Sequence, residues 1–154
     1  MYSLLLSIHS LVRWLLLVTL LISIGRAYQG WLKNKRFSKR DNTLRVITSS
    51  IAHTQLILGL WLYFISPVIK YFLQNFSEAV HMREIRFFGM EHSLMMLIAI
   101  VLITIGSSLS KRKNEDKLKF KTLAIWLTIA LLVILSSVPW PFSPLISRPY
   151  FRPF

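Results

Sequence analysis

Four long apolar runs, at residues 2–25, 46–69, 87–109 and 122–139, leave this chain few folds to choose from. Each is close to the roughly 17–25 residues that an α-helix needs to cross the hydrocarbon of a bilayer. Among 154 residues they leave almost nothing for a soluble domain. Composition agrees: 54% of residues are hydrophobic and only 16% charged, against about 45–50% and about 25% in soluble domains. The expectation is a single all-α domain, an integral membrane four-helix bundle running up-down-up-down. The first run is expected to stay as a permanent helix, because it lacks a basic leader and a small-residue cleavage site, and its apolar stretch is longer than a signal peptide's.

A formal net charge of +13 raises the question of nucleic acid, and the placement of the charge answers it. Residues 26–45 hold seven Lys or Arg against one acid, and residues 111–121 hold six against two. Both segments fall on one side of a four-helix chain, while the 70–86 connection and the tail together carry five. The positive-inside rule then places both termini outside and the two basic connections in the cytoplasm of a bacterial inner membrane. Anionic lipid head groups are the expected partners of those loops, and no nucleic acid is expected.

Cysteine is absent. Thiolate-held haem, Cys-ligated iron–sulfur clusters and Cys-based zinc sites are therefore excluded, and metal chemistry falls on the four histidines. An ionisable side chain facing lipid is expensive, so Arg13, Glu91 and the in-span histidines are expected to face the bundle interior. A helical rise of about 1.5 Å per residue puts His9 on the order of 8–10 Å, and His92 on the order of 9 Å, to the outer side of the midplane. By the same rise His53 falls on the inner half, roughly 15 Å below His92; His81 belongs to the outer loop. Two imidazoles binding one iron from opposite sides need equal depth on facing helices, which His9 and His92 have. Haem b suits such a site, since its macrocycle needs an apolar slot of the kind bundle cores supply. Met95, Met96 and Ala99 lie near the face of His92 and would serve as soft or small wall residues.

Arg13 follows His9 by four residues and shares its face. Its guanidinium is expected to reach Glu91 and tie the first span to the third, or to meet a haem propionate. Arg83 and Arg86, at the outer mouth, are the other propionate candidates. His53 and Gln55 are candidates for a quinone or proton contact; for His53 a hydrogen-bonded structural role and a second metal or haem ligand are the alternatives, the latter without a level partner.

At "IHSLVRWLLL", "IAHTQLILGLWLYFISP", "EHSLMMLIAIVLITIG" and "SVPWPF" the chain resembles small bacterial four-helix membrane proteins, frequent in the Bacteroidetes, that are labelled cytochrome b. The resemblance covers His9, Arg13, Trp14, His53, Gln55, Glu91, His92 and Trp140-Pro141-Phe142. More distantly the chain is similar to four-helix b-type cytochromes that move electrons between quinones and other carriers, some with two haems. Those use histidines that include the last helix, and here the last helix has none. One b-type haem and membrane electron transfer, in exchange with quinone or a respiratory complex, are what the resemblance implies. Two other classes stay open: a haem-free accessory subunit of a larger membrane complex or homo-oligomer, and a proton or metal pathway through His53, Gln55, Arg13 and Glu91. No sequence feature identifies a substrate.

Overall fold

A computed structural model describes residues 1–140; Pro141, Phe142, Pro144 and the two tail arginines lie outside them. The described residues are helical and carry no strand. The elements are α1 (Tyr2–Leu32), α2 (Lys39–Ile65), α3 (Pro67–Gln74), α4 (Phe76–Ala79), α5 (Arg83–Arg86), a π-helical turn (Phe87–Glu91), α6 (His92–Arg112) and α7 (Asp116–Ser137). Four helices, with the third counted as the continuous stretch Arg83–Arg112, are long and apolar enough to cross a membrane.

Helix bounds depart from the apolar runs because the ends carry their own local signals. Ser38 and Asp41 form a capping box that starts α2 seven residues before the apolar run, satisfying donors a helix N-terminus leaves orphaned. Asp41 also accepts from Arg26 on α1 at 2.7 Å, so the basic connection is clasped by a charge pair. At its other end α2 stops at Ile65, four residues short of the apolar run. Pro67 disfavours helical backbone at Ser66, which is extended, and opens α3 as its first residue.

α1 packs on α2 and α7, α6 packs on α7 and α2, and α1 therefore faces α6 across the diagonal. Leu16, Leu17, Leu20, Ala99, Ile100, Ile103, Leu123, Leu127 and Ala130 fill the centre. Large apolar residues such as Leu11, Leu15, Phe64, Leu94 and Leu132 point outward. Such a surface suits hydrocarbon as solvent rather than water. Close helix approach relies on glycine where a side chain would collide. A Cβ at Gly30 would meet the ring of Phe120, and one at Gly106 would meet Trp126 Cβ.

Gly106→Ala should therefore lower the stability of the detergent-purified protein by about 1–3 kcal/mol, the usual cost of overpacking. Gly25→Ala, with nothing within 4 Å of the added atom, should be neutral or gain about 0.5–1 kcal/mol from helix propensity. Thermal midpoints measured side by side check the pair, and equal effects would contradict the α6–α7 packing.

Candidate functional site

Hydrogen bonds and packing along α2 settle the relative depth of the polar side chains. On one flank, Gly59 lies opposite His9, whose Cε1 would stand 3.4 Å from a Cβ at that glycine. On the other flank, Tyr63 donates its hydroxyl to the carbonyl of Gly89 at 3.0 Å. Contacts between α2 and the third span run in opposite order along the two, with Arg45 on Ser107, His53 on Thr104 and Tyr63 on Gly89. His92, three residues beyond Gly89, thus lies level with the part of α2 near residue 60, and so with His9. Arg13 follows His9 by one helical turn on the same side of α1.

Each imidazole is held by a different neighbour. His92 Nδ1 lies 2.8 Å from the carbonyl of Ser137 at the end of α7. A carbonyl only accepts, so Nδ1 carries the proton and donates it, leaving the lone pair on Nε2. This is the outer partnership that orients metal-binding histidines. Phe87 and Phe88 flank the same ring at centroid distances of 5.7 and 6.1 Å. His9 is gripped by Gln55, which is 9% exposed: Gln55 Nε2 donates to the His9 carbonyl at 3.1 Å and sits 3.2 Å from His9 Nε2. His9 Nδ1 and Gln55 Oε1 are both enclosed with no hydrogen-bond partner among the described residues.

The π-helical turn immediately before His92 sets the rotation of the third span at this level. A π turn moves residues five apart onto one side, and Ser93 accordingly donates to the carbonyl of Phe88 at 2.9 Å. The same geometry brings Arg86 to Glu91, five residues on, as an ion pair of 2.7 Å. That corrects the expected Arg13–Glu91 pair: Glu91 is satisfied within its own segment, and Arg13 donates to Ser10 Oγ at 3.3 Å and lies 5.5 Å from the ring of Trp14. Trp14 in turn meets Trp140 edge-on at 6.1 Å. Arg86 also donates to the carbonyl of Val80 at 3.1 Å, while Arg83 is exposed on α5.

His53 departs from expectation in another way. It is exposed on the α2 surface, not turned to the interior, and its Nε2 lies 3.0 Å from Thr104 Oγ1. Thr104 is twelve residues, about 18 Å of helix, beyond His92, so His53 and His92 lie at different levels of the bundle. Gln55 leaves the His53 group and joins His9. His81 is exposed in the connection, and Met95 and Met96 are half-buried.

Sequence reasoning missed Tyr63, Phe72, Ser137 and the π turn. Ser137 acts through its backbone carbonyl, for which no side-chain signal exists. Phe72 is identified only through packing, since a Cβ at Gly89 would run into its ring.

Among the described residues no three His, Asp or Glu side chains cluster as a metal site. A haem needs only one or two axial nitrogens: His92 keeps an Nε2 lone pair, whereas His9 turns Nε2 to Gln55 and Nδ1 to Gly59 on α2. No family model, curated protein or solved structure matches the chain.

Gly89→Ala should destabilise the protein more than Tyr63→Phe, whose lost hydrogen bond is worth about 0.5–1.5 kcal/mol. Phe72→Ala should relieve Gly89→Ala in the double variant, a coupling readable from thermal midpoints. Strict additivity would contradict the Phe72–Gly89 contact.

Proposed function

We propose that the chain is a b-type haem-binding electron-transfer protein of a bacterial inner membrane, built up-down-up-down with both termini outside. The observation that carries the reading is the level placement of His9 and His92 on diagonal helices, with the His92 ring preset by the Ser137 carbonyl. Haem, when bound, supplies the one-electron chemistry. The chain's own residues would do the rest. His92 gives an axial nitrogen, Phe87 and Phe88 wall its ring, and Arg13 places a positive charge one helical turn from His9. Arg83, exposed at the mouth, and Arg86 beyond its Glu91 pair suit haem propionates. Electrons would be exchanged with quinone or with a respiratory complex, and the two basic connections would rest on anionic lipid.

A haem-free accessory role, or a homo-oligomer, is favoured by one separate observation. α2 is the least buried of the four spans, and it exposes Ser50, His53 and Thr54 together, polar groups that would seal against another helix.

A reduced-minus-oxidised absorption spectrum of the purified protein separates the two readings. A b-type band lost in His92→Ala and kept in His53→Ala supports the haem site; no band in the wild type contradicts it and leaves the accessory role. Orientation has its own test, since the chain has no cysteine to interfere. An impermeant maleimide should label Glu78→Cys from the outside of intact spheroplasts and leave Arg36→Cys unlabelled, and the reverse pattern would overturn the assigned topology.

A further inference from the structure

We propose that α2 carries the interface of a two-fold dimer: the α2 of a second copy lies parallel against it, and Ser50 of each chain donates to His53 Nδ1 of the other. The inference rests on the oligomer reading of the α2 surface and names its partner; it involves no haem.

The surface has a regular pattern. Val46, Ser50, His53, Ile57, Leu60 and Phe64 are all exposed, and they follow one another at alternating steps of four and three residues. That is the spacing of a seam between two nearly parallel helices. The chain's own helices leave the seam uncovered: 17% of the apolar stretch of α2 is buried, against 33% in each of the other three spans. Val46, Ile57, Leu60 and Phe64 are at ease in lipid. Ser50 and His53 are not, because hydrocarbon offers nothing to hydrogen-bond.

Donor and acceptor chemistry shows what each polar group lacks. Thr104 has one hydroxyl hydrogen, and it goes to the carbonyl of Ile100 at 2.7 Å. Thr104 Oγ1 must then accept from His53 Nε2 across 3.0 Å, which places the proton of the neutral ring on Nε2. His53 Nδ1 is left as an acceptor with no donor among the described residues. Thr54 cannot serve it, since its own hydrogen goes to the carbonyl of Ser50 at 3.0 Å. Ser50, one turn before His53, is the converse: its hydroxyl hydrogen has no acceptor among the described residues.

One face thus holds a spare donor and a spare acceptor, and a second copy supplies the matching pair by symmetry. All copies of one chain insert in one orientation, so a two-fold axis relating them lies along the membrane normal, their α2 helices run parallel, and every contact occurs twice. Side chains lean toward a helix's N-terminus, which brings the His53 ring back toward the level of Ser50 on the facing helix. The same face reads as a polar, small-residue helix contact of the kind membranes use.

Two measurements on the full chain in lipid bilayers test this. The chain has no cysteine, so single cysteines report one contact each. Ile57→Cys should form a disulfide-linked dimer under mild oxidation, whereas Leu132→Cys, similarly exposed but on α7, should not. Energy transfer between terminally labelled chains, followed on dilution in the bilayer, gives the dimer affinity. His53→Leu and Ser50→Ala should each weaken it about five- to tenfold, the worth of two interhelical hydrogen bonds. The double variant should be no weaker than either single one, because all three lose the same pair of bonds. Additive losses, or cross-linking at Leu132→Cys and not at Ile57→Cys, would overturn this dimer. A chain that stays monomeric while Ile57→Cys links to a different membrane protein would overturn it and keep the accessory reading of α2. A monomer whose Ile57→Cys links to no protein in native membranes would overturn both.

Discussion

The hydrogen bonds that Gln55 makes to His9 hold together the part of the molecule on which its proposed chemistry depends. In hydrocarbon a backbone must satisfy its own donors and acceptors, so each span is a helix, and side chains are left as the means of joining spans polar-to-polar. Gln55 uses both hydrogens of one amide nitrogen on one residue of the neighbouring helix. That fixes the register of α1 on α2 near the middle of their contact, as Ser23 with Thr48 at 2.7 Å and Arg26 with Asp41 fix it toward the basic end. With α1 so placed, His9 comes level with His92, and everything proposed about the centre follows from that level.

The third span is fixed differently. Arg45 of α2 holds Ser107 at one end, but near His92 its polar residues are tied to the local geometry of the π turn, which pairs Arg86 with Glu91 and Ser93 with Phe88. Tyr63 and Phe72 grip Gly89 from outside the segment. A π turn inside a long helix is rare and frequent near functional sites, and here it ends beside His92. Its visible product is a ring oriented so that one nitrogen meets the Ser137 carbonyl.

Much of this was legible in the sequence, and the failures have physical causes. Apolar length alone gave the four spans, and helical rise alone gave the level pair His9 and His92 and the deeper His53. The S-K-R-D of residues 38–41 held the capping signal that extends α2, although hydropathy counting cannot register it. Glu91 was misassigned because a face drawn with 3.6 residues per turn is wrong across a π turn: residues five apart become neighbours. His53 was assumed to be interior because ionisable groups in membranes usually are, whereas α2 is shallowly packed and Thr104 is near enough to satisfy the ring at the surface. The partner of the His92 ring was hidden for a simpler reason. It is the backbone carbonyl of Ser137, and backbone atoms carry no sequence signature.

Haem-to-protein stoichiometry of the purified wild-type chain tests the central claim most directly. The account predicts about one b-type haem per chain, since the last span offers no histidine and His53 has no level partner. A protein that is pure, folded and devoid of haem, or one that holds two, would contradict it.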